Sequence, residues 1–190
     1  MSDSKKFYTA DTHFGHANAI KYCNRPFTSA EEMDEVLIEN WNSVVRPGDI
    51  VYHLGDFAFY KEEKDIRRIL KRLNGQKWLI WGNHDKIIRH NITIQKMFVK
   101  CGPYHEVVDG EDHVILSHYK FSTWNKSHHG SIHLFGHSHG TLEGDNQCQD
   151  VGTDCWNYFP ITIEQIKSQL KKNPIRKLEF PSPTLLRNCG

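Results

Sequence analysis

The pattern of apolar residues predicts a mixed α/β protein (α+β in its second half), and three observations carry that prediction. Through the first half of the chain, strand-like apolar runs alternate with stretches of helical periodicity. Through the second half, strand-like runs follow one another with little helical pattern until residue 162. Five of the runs end in short polar segments built from Asp, His and Asn. Alternation implies parallel strands joined by crossover helices, and direct succession implies an antiparallel component.

The elements follow in order. Phe7-Tyr8-Thr9-Ala10 reads as the first strand. Ser29-x-x-Glu32 reads as a capping box, and Met33, Val36, Leu37 and Trp41 continue with helical spacing. Ile50-Val51-Tyr52-His53-Leu54 is the second strand, with His53 expected in the core. A helix over 61–73 presents Ile66, Ile69, Leu70 and Leu73 as one stripe, supports itself with Glu63 and Arg67, and stops at Asn74-Gly75. Trp78-Leu79-Ile80-Trp81 is the third strand. Further strands are expected over 97–99, 104–108, 113–117 and 132–136, with short ones near 148–151 and 159–162. A last helix begins at Thr162, where Gln165 completes another capping box, carries Ile166 and Leu170, and closes at Asn173-Pro174. Residues 1–173 are expected to form one domain, and 174–190, with Pro181 and Pro183, an extended tail.

Composition bounds the function. A chain of 190 residues with ten Phe, seven Tyr and five Trp can bury a sizeable core. Its net charge of +1 offers no basic stripe, which argues against a broad nucleic-acid surface but leaves room for a nucleotide in a local pocket. No apolar stretch reaches the length of a membrane span, and Met1-Ser2-Asp3-Ser4-Lys5-Lys6 leads straight into the first strand. The expectation is a soluble, cytoplasmic protein with no membrane partner. Five cysteines, an odd number without a Cys-x-x-Cys pair, argue against a disulfide framework or a zinc ribbon. Cys148 and Cys155, the nearest pair, are expected to be reduced. Nothing in the pattern fixes an oligomeric state.

The polar strand ends are Asp11-Thr12-His13, Gly55-Asp56, Gly82-Asn83-His84-Asp85, Ser117-His118 and Gly136-His137-Ser138-His139. Open α/β sheets bind ligands at the carboxyl ends of their strands. Residues i and i+2 of an extended chain share a side, so Asp11 with His13, and His137 with His139, are expected to converge. Asp11, His13, Asp56, Asn83, His118, His137 and His139 offer carboxylate, imidazole and carboxamide donors, a set that suits Mn, Fe or Zn better than Ca. Seven donors exceed one tetrahedral ion and suit two ions sharing a carboxylate, which in such sites stand roughly 3.5–4 Å apart. Taken singly, an Asp after a strand is an ordinary turn or N-cap residue. The ordered set would require five independent coincidences.

In this order the segments resemble the calcineurin-like metallophosphoesterase superfamily, whose pattern is Asp-x-His, Gly-Asp, Gly-Asn-His-Asp or Glu, a lone His, and Gly-His-x-His. All of these blocks lie between residues 11 and 139. The wording Asp11-Thr12-His13-Phe14-Gly15-His16, and the run Trp124-Asn125-Lys126-Ser127-His128-His129-Gly130 after His118, is similar to small bacterial and phage phosphoesterases of that superfamily. The resemblance implies a β-sandwich of two sheets flanked by helices, an αββα architecture. It also implies a metal-dependent phosphoric ester hydrolase, a phosphodiesterase or phosphatase, with two divalent transition metals, Mn foremost and Fe, Zn or Ni as alternates. Asp11, His13 and His139 would bind one metal, and Asn83, His118 and His137 the other. Asp56 would bridge them, with a hydroxide between the ions as nucleophile. His84 would stand over the scissile phosphate, and Asp85 would orient it through its other ring nitrogen.

Divalent cations suit this chemistry because they neutralise the phosphoester's charge and can lower the pKa of bound water to ~7. A positioned His typically adds ~10²–10⁴-fold. Loops 14–28 and 119–131 are expected to flank a shallow, open site and to offer His16, Arg25 and Trp124 to substrate, Arg25 as a phosphate partner and Trp124 as a stacking surface. A small, nucleotide-like phosphoester fits that picture. The alternatives are a nuclease acting on DNA or RNA and a non-catalytic scaffold of the same fold.

Overall fold

Parallel strands covered on both faces must be apolar on both. In the computed structural model, which describes residues 4–176, β1 (Lys6–Thr9), β2 (Ile50–His53), β3 (Gln76–Ile80) and β4 (Lys100–Gly102) form one parallel sheet in that spatial order. Successive side chains point to opposite faces. Phe7, Val51 and Leu79 enter a core under the helices, while Tyr8, Tyr52 and Ile80 enter a core between the sheets. The crossovers are α1 (Ala17–Tyr22) with α2 (Ala30–Val44), then α3 (Glu63–Arg72), then α4 (Lys86–Arg89) with α5 (Ile92–Gln95). Helices α2 and α3 bury Met33, Leu37, Trp41, Ile66, Ile69 and Leu70 in the first core. Each such side chain contributes about 1.5–3 kcal/mol relative to exposure.

The second sheet orders β5 (Tyr104–Asp109), β6 (Asp112–Ser117), β7 (Ile132–Phe135) and β8 (Cys148–Asp150). Strands β5 and β6 are an antiparallel hairpin. Its inner face supplies Val114, Leu116, Ile132 and Leu134 to the core between the sheets, which α6 (Ile163–Leu170) closes with Ile163, Ile166 and Leu170. Ile115, Phe135 and Cys148 pack instead with Trp124. The result is a mixed α/β molecule with two four-stranded sheets flanked by helices, an αββα architecture. No helix among the described residues is long and apolar enough to cross a membrane.

Several expectations need correction. The second half is less antiparallel than predicted, because β6–β7 and β7–β8 pair in parallel. The long connections after β6 and β7 let the chain return without a regular α-helix. The strand expected over 97–99 lies at Lys100–Gly102, and the one over 159–162 is a single bridge between Tyr8 and Ile161. The first capping box is half formed: Ser29 accepts from Glu32 N–H, but the Glu32 carboxylate turns to Thr28 N–H and hydroxyl. The box at Thr162 and Gln165 is complete. Helices α1, α4 and α5, of six, four and four residues, are too short to show a period. Cys23, Cys101, Cys148 and Cys155 are free thiols. Of the predicted tail, 177–190 lie outside the described residues; before them Arg176 stacks over Trp124 at 3.7 Å.

Candidate metal centre

Each polar segment follows the carboxyl end of a strand, so β1, β2, β3, β6 and β7 bring their ends to one rim. The pairing of i and i+2 works by a different route from the predicted one. Asp11, His13, Asp56, His137 and His139 have φ of 57°, 52°, 55°, 67° and 47°. These are left-handed turns, a conformation few non-glycine residues adopt and one that concentrates at functional sites. The chain turns sharply at each donor instead of running extended past it.

Two glycines let the loops close. A Cβ on Gly82 would collide with the Asp56 carboxylate, and one on Gly136 would stand 2.6 Å from Asp11 Oδ2 and 2.5 Å from Ala10 Cβ. Across those contacts the loops bond to each other. His137 N–H donates to Asp11 Oδ2 at 2.8 Å, and His84 N–H donates to Asp56 Oδ1 at 2.8 Å. One oxygen of each carboxylate thus fixes a neighbouring loop. The second stays free: Asp11 Oδ1 is buried with no hydrogen-bond partner. Asp56 Oδ2 faces Nε2 of His118, His13 and His84 at 3.5, 3.8 and 4.0 Å. Asn83 Oδ1 lies 3.1 Å from His118 Nε2.

Three donor groups emerge among the described residues; one, Cys23 with His139 and Asp154, shares His139 with the first of the two built from predicted ligands. Asp11, His13 and His139 form that first group, and Asp56, His118 and His137 the other, with the donor atoms of each within 4.8 Å of one another. Burial pushes the Asp11 carboxyl up to about 7, against the pull of His118 and His139. Burial alone would also raise Asp56, but the His118 ring beside it, the His84 N–H and the nearby His13 draw it down to about 2. Burial holds His13 down at about 2, a neutral imidazole with a lone pair to give. An orphaned buried carboxylate oxygen is costly unless something compensates it. Together with the imidazoles of His13 and His137, which burial holds in the neutral form, and the oxygen donors around them, that oxygen fits a divalent transition metal. The donor set therefore fits a divalent metal.

A second layer holds this one. Arg25 was expected to meet phosphate; it is buried and committed to the protein instead. Its guanidinium donates to Asp154 Oδ1 and Oδ2 at 2.7 and 2.8 Å, and to the carbonyls of Asp11 and Thr12 at 2.7 and 3.0 Å. Asp154 also bonds His139 Nδ1 at 2.7 Å. Burial would lower His139, but Asp154 and Cys23 raise it to about 10. Asp85 was expected to orient the His84 ring, and it does not. Its buried carboxylate accepts N–H groups from Gly82, Asp56 and Phe57 at 2.8, 2.9 and 2.9 Å, locking the two loops together. Thr12 bridges His53 Nε2 and the Phe57 carbonyl, so His53 is core, as expected. Asp150 accepts from Ser138 hydroxyl, Gly140 N–H and Gly152 N–H, which pins the His137–His139 turn.

A cleft of about 590 Å³ opens over the donors, lined by His16 and His84 among others. His16 Nδ1 lies 3.4 Å from His13 Nδ1, so this expected substrate contact stands at the site. Trp124 does not. It is buried, donates to Ser131, and packs against His133. Sequence reasoning missed Asp150, Asp154, Phe59 and Tyr119. Asp150 ends the short strand Cys148-Gln149-Asp150, which lacks the apolar run of the recognised segments, and Asp154 follows it within a turn.

The fold and rim define an α/β protein of two four-stranded sheets flanked by helices, with a candidate His/Asp metal centre. No family model matches the chain. It is 35% identical over 184 residues to the uncharacterized protein MJ1445 of Methanocaldococcus jannaschii, across 92% of this chain and 96% of that protein, and it belongs to the same family. It is 26% identical over 186 residues to the Gene 66 protein of Mycobacterium phage L5, across 80% of this chain and 88% of that protein. Among solved structures, the protein of unknown function AQ665 from Aquifex aeolicus is similar with a TM-score of 0.70 at 25% identity, over 88% of this chain and all of that one.

Proposed function

We propose that this chain is a metal-dependent phosphoesterase that holds two divalent transition metals and hydrolyses a small phosphoester. The observation that carries the reading is the gathering of Asp11, His13, Asp56, Asn83, His118, His137 and His139 from five strand ends, with one buried carboxylate oxygen left uncompensated. Asp11, His13 and His139 would hold one ion, Asn83, His118 and His137 the other, and Asp56 would serve both. Bound there, the ions would neutralise the phosphate and activate water for attack on phosphorus.

The protein's own residues do the rest. Asp154 holds His139 through Nδ1, which leaves Nε2 as the ring atom able to bind a metal. His118 gives Nδ1 to the Leu54 carbonyl at 2.8 Å and so presents Nε2 in the same way. His84 is exposed to the cleft, and its ring makes no hydrogen bond to Asp85. It is free to approach a phosphoryl oxygen or to give a proton to the leaving oxygen.

The test is turnover of a chromogenic phosphodiester and phosphomonoester with added Mn, alongside elemental analysis. Asp56→Ala should abolish turnover and metal retention. His84→Ala should keep the metal and lose ~10²–10⁴-fold in rate. Full activity in Asp56→Ala refutes the reading.

A further inference from the structure

Three Phe, Tyr or Trp side chains among the described residues are exposed, at 79%, 44% and 48%: Tyr22, which lines the cleft, and Phe59 and Tyr119, which pack against histidine rings that line it. They come from different parts of the chain. Tyr22 ends α1 and lines the cleft directly. Phe59 follows β2 and lies flat on His16, with ring centroids 3.9 Å apart and planes 13° apart, and meets the His84 ring edge-on at 5.2 Å. Tyr119 follows β6, lies edge-on to His118 and His137 at 4.9 and 4.7 Å, and reaches Asn83 Oδ1 with its hydroxyl at 3.3 Å. Most aromatic rings of this chain are buried or half-buried. Exposed rings scattered over a surface need no explanation, but three that line this cleft or pack on its lining histidines do.

We propose that Phe59, Tyr22 and Tyr119 form a stacking subsite for a planar aromatic group carried by the phosphoester. The proposal rests on the phosphoesterase reading and names its substrate class. Aromatic faces receive planar π-systems with little dependence on ring identity. A phosphate drawn to the donors beneath would leave an attached ring within reach of the rim. The cleft volume of about 590 Å³ is in the range that accepts a nucleotide-sized ligand. Asn24 and Thr141 on its wall add polar groups for a sugar or a base edge. A nucleobase and a simple aryl ester share the required chemistry.

Equilibrium binding separates this from catalysis. Adenosine 5′-monophosphate, phenyl phosphate and ribose 5-phosphate would be titrated into the Mn-loaded protein by calorimetry. The aromatic ligands should bind at least about tenfold tighter than ribose 5-phosphate, in line with the strength of base stacking on aromatic side chains. Tighter binding of the nucleotide alone assigns the subsite to nucleobases; tighter binding of both assigns it to aryl esters in general. Phe59→Ala and Tyr22→Ala should bring the ratio toward one. Phe59→Leu, which keeps an apolar cover on His16, should do the same with an unchanged melting temperature. Equal affinities in the wild type, no binding of any ligand, or a ratio that survives in the variants overturns the proposal. If discrimination holds while no phosphoester is hydrolysed under any metal, the phosphoesterase reading fails and the subsite stands.

Discussion

Asp11 offers two oxygens, and the polypeptide uses only one of them. The same division occurs at Asp56, where Oδ1 takes the His84 N–H and Oδ2 looks toward three imidazoles. A carboxylate with a fixed half and a free half is both a loop fastener and a potential ligand. Arg25 is a fastener alone. Its side chain is fully buried and spends its charge on Asp154 and its remaining donors on the Asp11 and Thr12 carbonyls. Breaking a buried pair by removing one partner leaves the other charge uncompensated and costs about 3–5 kcal/mol. Arg25→Ala should therefore lower the stability of the metal-free protein by about that much in urea unfolding. A substrate-binding arginine would raise KM and leave the unfolding midpoint unchanged, so the two roles are separable in one variant.

At the scale of elements, the site depends on how closely strand ends approach. At Gly136, where the two sheets meet, an added Cβ would run into Ala10 and Asp11. Gly136→Ala should force β1 and β7 apart. We expect a loss of about 1–3 kcal/mol from overpacking, with metal content falling further than that loss alone would cause. Metal retained in full would show that the loops tolerate separation. Such close approaches are hard to read from sequence, whereas the strands themselves are not. Apolar runs of both-face-buried strands and the stripe Ile66, Ile69, Leu70 were legible because burial imposes a period. The donors were legible because they recur after those strands in a fixed order. Asp154 and Phe59 were not, since their partners Arg25, His139 and His16 are distant or offset in sequence and follow no period. Arg25 and Trp124 were misread for the same reason: residue type suggested recognition, while tertiary partners had claimed both side chains. Asp85 belongs with them, because its place beside His84 concealed three backbone amides waiting for its carboxylate.

In the whole molecule, the candidate ligands come from both sheets: Asp11, His13, Asp56 and Asn83 follow strands of the first, and His118, His137 and His139 follow strands of the second. The unfolded chain cannot bring these ends together, so metal should bind the folded state and stabilise it. At a free concentration one hundred times the dissociation constant, a single such ion contributes about 2.7 kcal/mol. In a protein of 150–250 residues, 1 kcal/mol moves Tm by about 2–4 °C. Calorimetry should thus find Tm higher by roughly 5–10 °C with Mn than with a chelator. Asp56→Ala should lose the shift. Its metal-free Tm should fall as well, because the bond from His84 N–H and the favourable setting that holds the Asp56 carboxyl low are lost with the side chain. Ile69→Ala supplies the contrast: it opens a cavity in the core beneath α3, should cost about 2–5 kcal/mol, and should keep the shift. Identical melting with and without metal in the wild type would mean that the two sheets meet for packing alone, and that the free oxygens of Asp11 and Asp56 have no ion to hold.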